Sequence, residues 1–148
     1  MRVVLQRVKK AAVIINSGEK REIGEGLAVL AAFGKNDTPF KCVKMFEKIK
    51  SLRIFSNEDG KFDKSLEDIK GSLLIVSQFT LYADCKRGKR PDFTGAALYK
   101  DGKILYEEFL NAARASSLNV VTGKFGADML VELQNDGPVT IILDSDLI

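Results

Sequence analysis

Ser77-Gln78-Phe79-Thr80-Leu81 sets a hydroxyl, an amide and a second hydroxyl within four positions, at the end of the apolar run Leu73-Leu74-Ile75-Val76. A strand that leaves a core this way presents polar groups at a pocket mouth, where they can hold a carbonyl or carry a nucleophile. The same five residues also describe an ordinary strand end. The chain contains no histidine. That removes His-based triads, imidazole general bases and the commonest zinc ligands. Chemistry here must rest on hydroxyls, carboxylates, Lys, Tyr, backbone groups or the substrate itself. Cys42 and Cys85 are the only cysteines, lie far apart and match no metal-ligand spacing. One disulfide is open to them, but reduced thiols suit a cytosolic chain, and no metal or other cofactor is expected.

Two further stretches carry chemical potential. Asn135-Asp136-Gly137-Pro138 is a strong turn signal in which Gly137 lets the backbone approach a ligand and Pro138 admits a cis peptide. On these residues alone a plain hairpin turn is the favoured account. The loop from Ala83 to Pro91 holds Lys86, Arg87, Lys89 and Arg90 around Gly88, the densest basic patch in the chain. It suits contact with phosphates, and it also suits a solvated mobile loop.

The elements that must position these groups follow from periodicity. Arg2 to Val8 and Ala11 to Asn16 predict two strands around Lys9-Lys10, Ser17-Gly18 predicts a turn, and Glu19 to Ile23 completes a hairpin. Leu27 to Phe33 is continuously apolar and predicts a central strand. Asp37 or Thr38 is available to cap a helix with Pro39 near its first position. Phe40, Val43, Phe46, Ile49 and Leu52 then predict its buried stripe, with a solvated basic face opposite. Arg53-Ile54-Phe55 predicts a short strand before the Asn57 to Gly60 turn. Gly71 introduces the strand that delivers Ser77. A second helix is expected from Gly102 to Ser116, burying Leu105, Phe109 and Ala112 or Ala113, and a strand from Leu118 to Thr122. Gly123 to Asp128 reads as irregular and exposing Phe125. Met129 to Leu133 and Val139 to Leu143 read as two strands joined by the Gly137-Pro138 turn.

At 148 residues this is one domain with a real core, residues 1–148. The fold class is α+β: a curved, largely antiparallel, barrel-like sheet with two main helices. No apolar run is long enough to span a bilayer, and the first residues lack a signal-peptide core, so a cytoplasmic protein without membrane association is expected. The net charge of +3 permits a polyanionic partner without requiring one.

Taken together, Ser77-Gln78-Phe79-Thr80-Leu81 and Asn135-Asp136-Gly137-Pro138-Val139-Thr140 closely resemble the D-aminoacyl-tRNA deacylases, often called D-tyrosyl-tRNA deacylases. Gln6-Arg7-Val8, Arg53-Ile54-Phe55-Ser56, Arg90-Pro91-x-Phe93 and Thr122-Gly123-x-Phe125-Gly126-Ala127-Asp128-Met129 agree in order along the chain. Two positions depart from the family's usual pattern: Phe62-Asp63, where Met-Asn is common, and Asp92, where a small residue is common. They bear on substrate range rather than on the reaction.

The resemblance implies hydrolysis of the ester between a D-amino acid and the terminal adenosine of tRNA, and activity on glycyl-tRNA mischarged on alanine tRNA. It implies a homodimer with the pocket at the subunit interface. Ser77, Gln78, Phe79 and Thr80 would line one wall, with Phe125 and Met129 as substrate contacts. Gly137 and Pro138, supplied by the partner and held by Arg7, would reject the L-amino acid. Lys86, Arg87, Lys89, Arg90 and Lys124 would contact the tRNA backbone. Two chemical schemes fit: Thr80 as nucleophile, or a backbone oxyanion hole at Phe79 and Thr80 with the tRNA 2′-hydroxyl activating the attack. With no general base beside Thr80 in sequence, the second is expected. A Thr- or Ser-dependent general esterase and a non-catalytic tRNA-binding module are the competing functions.

Overall fold

One long strand organises the sheet. In the computed structural model, which describes residues 1–16 and 18–148, β1 spans Arg2–Ile15 without interruption. Lys9 and Lys10 do not end it. They are exposed at a register shift between Val8 and Lys10, where the backbone bulges, and they pair with Glu25 (2.8 Å) and Glu22 (3.1 Å). Charge at a bulge therefore mimicked a strand break. Along one edge β1 pairs with β3 (Gly26–Ala32) and then with β2 (Lys20–Ile23), and along the other with β8 (Met129–Asp144). The expected Ser17-Gly18 turn falls partly on Ser17, outside the described residues.

The three pairings through β1 are antiparallel, whereas β3, β6 (Ser72–Ser77) and β7 (Asn119–Thr122) run parallel. The parallel half follows from its connections. Helix α1 (Pro39–Ser51) lies between β3 and β6 in the chain, and α2 (Tyr99–Arg114) between β6 and β7. β2 and β7 end the strand path, and Arg21 of β2 reaches the Thr122 carbonyl of β7 at 2.7 Å. The mixed sheet is thus nearly closed into a barrel.

Both sheet faces are covered, which explains the continuous apolar runs of β3 and β6. Leu27, Val29, Leu73 and Ile75 face the helices, with Phe33, Phe46, Tyr106 and Phe109, while Ala28, Leu74 and Val76 face the inside of the curve with Val8 and Val13. Phe109 meets Phe33 and Phe46 edge-on, at 6.4 and 6.1 Å.

Helix α1 has its expected cap, Thr38 accepting from the Lys41 N–H, and Pro39 at its start. Its buried stripe keeps Phe46 and Ile49 of the expected set but leaves Phe40 and Val43 exposed. Cys42, Met45, Phe46 and Ile49 are inside, and Phe40 is 69% exposed. A strict spacing of three drifts by about 60° per step around the axis, whereas the alternation of three and four stays on one face. Helix α2 starts at Tyr99, ahead of Gly102, which lies in the first turn near Phe125, where even a Cβ would meet the ring only in ordinary contact at 3.6 Å.

The largest departure is at the C-terminal end. β8 is one strand of 16 residues, and Gly137-Pro138 is not a hairpin turn within it. Val8 pairs with Asn135 and Gln6 with Thr140, so residues 136–139 loop out opposite Arg7 alone. Both halves of β8 pair with β1 rather than with each other, and that shared partner makes the expected two strands one. The outer edge of β8 has no partner strand among the described residues, and Leu130 and Ile142 are exposed by 61% and 75%.

Candidate active site

Ser77 is the last paired residue of β6, opposite Ala31 of β3, and the Gln78 N–H adds one more bond to the Ala31 carbonyl at 2.8 Å. The chain then turns through a single 3₁₀ turn, Phe79–Tyr82. Neither the Phe79 nor the Thr80 N–H donates to a backbone or side-chain acceptor among the described residues, so two adjacent donors are left at the strand end. The Gln78 amide nitrogen donates to Thr80 Oγ1 at 2.6 Å. An amide at this hydroxyl orients it but cannot take its proton at neutral pH.

The turn is anchored from behind. Tyr82 lies against Gly34, with the Arg2 guanidinium 4.6 Å from its ring centre, and Arg2 donates to the Leu81 carbonyl at 3.2 Å. Gly34 in turn donates to Asp37 Oδ2 at 2.6 Å. Burial raises the Tyr82 phenol well above its ordinary pKa, with the nearby Asp37 carboxylate adding to the shift, so it stays neutral and serves as an anchor.

Ser77, Gln78 and Phe79 open onto a cleft of about 570 Å³ whose other walls include Tyr99, Phe125 and Met129. Phe125 is half-buried rather than displayed. Its ring packs on Tyr99 at 5.3 Å and on Tyr106 at 5.4 Å. The Tyr106 hydroxyl donates to the Ile75 carbonyl inside the core, tying this floor to the strand that carries Ser77. Met129 begins β8 and accepts the Lys124 N–H on its sulfur at 3.3 Å. The cleft is therefore an apolar, aromatic-floored slot with Phe79, the first residue of the 3₁₀ turn, on its wall. Thr80 is exposed and lies outside the lining.

Gly137 and Pro138 do not line this cleft either. Their peptide bond is cis, and Gly137 has φ of +121°. Arg7, only 8% exposed, holds the loop: its Nε donates to the Asp136 carbonyl at 3.2 Å and lies 3.2 Å from Asp136 Oδ2. Its Nη1 donates to the Ile54 carbonyl at 2.7 Å. Within one chain the structure thus gathers Ser77, Gln78, Phe79, Phe125 and Met129, and places Arg7, Gly137 and Pro138 together elsewhere.

Lys86, Arg87, Lys89 and Arg90 are exposed on a loop closed at its base by Asp84 and Asp92, whose backbones exchange hydrogen bonds of 2.7 and 2.9 Å. None of the four forms an ion pair among the described residues, whereas Lys9, Lys10, Lys20 and Arg21 all do. The loop joins the cleft through Phe93, edge-on to Phe79 at 5.1 Å. Lys124 is exposed and precedes Phe125, which lines the cleft. Asp92 is exposed and bonds locally: its carboxylate accepts the Thr94 N–H at 2.6 Å, and the Thr94 hydroxyl and N–H hold its pKa below the usual range. Burial pushes the Cys42 thiol up to about 12, and neither cysteine is paired. No three His, Cys, Asp or Glu side chains come together as a metal site among the described residues.

Sequence patterns did not point to Tyr99, Tyr82 or Gly34. Tyr99 precedes the expected helix start, and the other two act through contacts across the sheet that no local pattern records.

A family model described as D-Tyr-tRNA(Tyr) deacylase matches residues 4–144. The chain is 53% identical over 145 residues to a D-aminoacyl-tRNA deacylase of Thermotoga petrophila, covering 98% of this chain and 97% of that protein. It is 51% identical over 145 residues to one of Clostridium botulinum, with the same coverage of 98% and 97%. Among solved structures it matches the c-Myc DNA Unwinding Element Binding Protein at 40% identity and a TM-score of 0.90, over 97% of this chain and 98% of that one. A probable eukaryotic D-amino acid tRNA deacylase shares the fold at 20% identity and a TM-score of 0.84, over 96% and 97%.

Proposed function

The chain belongs to the D-Tyr-tRNA(Tyr) deacylase family and hydrolyses the D-aminoacyl-tRNA ester, and from that premise we propose how its residues divide the reaction. The terminal adenosine sits in the cleft against Phe125 and Met129. The ester carbonyl oxygen faces the Phe79 and Thr80 N–H groups, which stabilise the oxyanion that forms on attack. The substrate's 2′-hydroxyl activates a water. Water adds to the carbonyl carbon, the bond to the ribose 3′-oxygen breaks, and that oxygen leaves protonated, giving free tRNA and the D-amino acid. The observation that carries this scheme is the Gln78 amide on Thr80 Oγ1, at 2.6 Å, where a nucleophilic threonine needs a base. An aminoacyl ester is labile enough for positioned donors and its own hydroxyl to suffice.

Chirality is judged by a second wall. The Gly137-Pro138 loop does not line its own chain's cleft, and the adjoining β8 edge has no partner strand among the described residues, with Leu130 and Ile142 exposed. A homodimer in which each loop enters the partner's cleft satisfies both observations. A loop aimed at the α-carbon rejects an L side chain and leaves a D side chain free, so selectivity rests on exclusion rather than on grip. Glycine, with nothing to exclude, passes, which extends the activity to glycyl-tRNA mischarged on alanine tRNA. The enzyme works where its tRNA is, in the cytoplasm.

Incubation with D- and L-tyrosyl-tRNA, measuring the ester that remains, tests the function. Loss of the D ester alone is expected. Loss of neither indicates a binding module, and loss of both a general esterase.

The tRNA backbone runs over Lys86, Arg87, Lys89 and Arg90, with Lys124 as a further contact. Replacing Arg87 and Lys89 by alanine should raise KM for aminoacyl-tRNA and leave kcat near wild type. The slope of log KM against log salt should flatten by about 0.7 for each single-strand phosphate that is no longer neutralised. A KM flat between low and physiological salt in the wild type rules this assignment out.

Gly34→Ala tests the anchor behind the turn. A Cβ at this position would stand 2.6 Å from the Tyr82 hydroxyl oxygen, so Tyr82 must move and carry the 3₁₀ turn with it. A fall in kcat/KM on the order of tenfold to hundredfold is expected, as for other small misplacements of reacting groups. A variant of wild-type activity would show that the turn is positioned without Tyr82.

A further inference from the structure

The Arg7 guanidinium is nearly buried and its edges are committed: Nη1 to the Ile54 carbonyl, Nε to the Asp136 carbonyl and carboxylate. Nη2 faces Gly137, close enough that a Cβ there would lie 3.2 Å away. What remains is the flat face of the ion, and the Phe62 ring covers it, its centre 5.5 Å from Arg7 Cζ. Phe62 is 55% exposed and belongs to neither hydrophobic cluster of the fold, so core packing does not account for it.

Ile54 and Phe62 come from one small substructure. β4 (Phe55–Ser56) and β5 (Phe62–Lys64) form a two-stranded hairpin in which Ser56 pairs with Phe62. The Asn57 side chain closes its tip by accepting the Asp59 and Lys61 N–H groups at 3.0 Å each, and an Arg53–Asp63 ion pair ties its base. The hairpin therefore brackets Arg7 twice, by a carbonyl on its edge and by a ring on its face. Hydrogen bonds in the guanidinium plane, at Nη1 and Nε, still let the plane tilt about the line joining them. Covering the plane removes this freedom, and Arg7 then transmits a fixed position to residues 136 and 137.

We propose that Phe62 is a positioning residue for chiral selection, its ring locking Arg7 so that the β4–β5 hairpin sets where Gly137 stands. Phe62 touches no part of the substrate and acts through Arg7. The inference rests on the reading that the Gly137-Pro138 loop excludes L-amino acids.

The test compares Phe62→Leu, which keeps an apolar side chain and loses the aromatic face, with Phe62→Tyr, which keeps the face. Initial rates on D- and L-tyrosyl-tRNA give the D/L ratio, and a thermal melt reports the fold. Phe62→Leu should lower the ratio on the order of tenfold, with KM for tRNA and the melting temperature near wild type. Phe62→Tyr should return the ratio to within about twofold of wild type. Arg7→Ala separates the role of the loop from that of the hairpin. A collapsed ratio in Arg7→Ala with an unchanged ratio in Phe62→Leu overturns the role of Phe62 and leaves chiral selection by the loop intact. An unchanged ratio in Arg7→Ala overturns the loop reading and the inference with it. Equal losses in Phe62→Leu and Phe62→Tyr overturn the inference too, because the aromatic face would then not be what matters.

Discussion

A tRNA that ends in 2′-deoxyadenosine and carries D-tyrosine on its 3′-oxygen is expected to be hydrolysed about 10³-fold more slowly than the ribose substrate, within the usual range for a lost acid–base group. That corresponds to about 4 kcal/mol of barrier. Thr80→Val, by contrast, should keep kcat within about tenfold of wild type, less than the loss of a catalytic proton-transfer group brings. The difference follows from what surrounds each hydroxyl. Thr80 Oγ1 meets the Gln78 amide at 2.6 Å, and an amide can fix its orientation but cannot deprotonate it. The neighbouring Phe79 and Thr80 N–H groups survive a side-chain change at Thr80, so the proposed oxyanion donors persist in the variant. The 2′-hydroxyl is adjacent to the reacting ester in every productive complex and arrives with the substrate. Single-turnover assays of the four enzyme–substrate combinations decide the matter. Normal rates on the deoxy substrate together with an inactive Thr80→Val would make Thr80 the nucleophile.

Gly137→Ala should reduce kcat/KM for D-tyrosyl-tRNA by about 10²-fold, the scale of a reacting group misplaced by roughly 1 Å. Gly137 has φ of +121°, where an L residue is strained by about 1–3 kcal/mol. Its new Cβ would lie 2.8 Å from Val139 Cγ2 and 3.2 Å from Arg7 Nη2. The loop must shift against the arginine that holds it. If the loop selects chirality as proposed, its shift should lose both acceptance of the D substrate and refusal of the L substrate, and the D/L ratio should collapse. Gel filtration alongside the kinetics shows whether the assembly survives. A D/L ratio unchanged from wild type, with the variant folded, would remove Gly137 from chiral selection.

Much of the architecture was legible because it depends on local period. The alternation between polar turns and β-branched runs marks the sheet, and Thr38-Pro39 marks the start of α1. Misreadings arose where a local pattern has two three-dimensional meanings. Asn135-Asp136-Gly137-Pro138 has hairpin-turn composition, yet its flanks share one neighbour, β1, and the segment becomes a loop-out in a 16-residue strand. Lys9-Lys10 looks like a break and is a charged bulge. Phe125 looks displayed between glycines and is instead the floor of the cleft, because α2 begins early enough to bring Tyr99 onto it.

The sequence by itself determined the chemical repertoire: no imidazole, a polar strand end at Ser77, a glycine–proline loop and a glycine-centred cluster of cations. Residue types and their order along the chain suffice for that. Tertiary structure decided which of these groups meet. It puts an amide rather than a base on Thr80, seats Ser77, Gln78 and Phe79 opposite Phe125 and Met129, and removes Gly137 from its own chain's cleft while fastening it to Arg7. Arg7 and Asp136 are far apart in the chain and hydrogen-bonded across two strands. Such proximity depends on register and sheet curvature, which arise from packing the whole core and leave no trace in any short stretch of sequence.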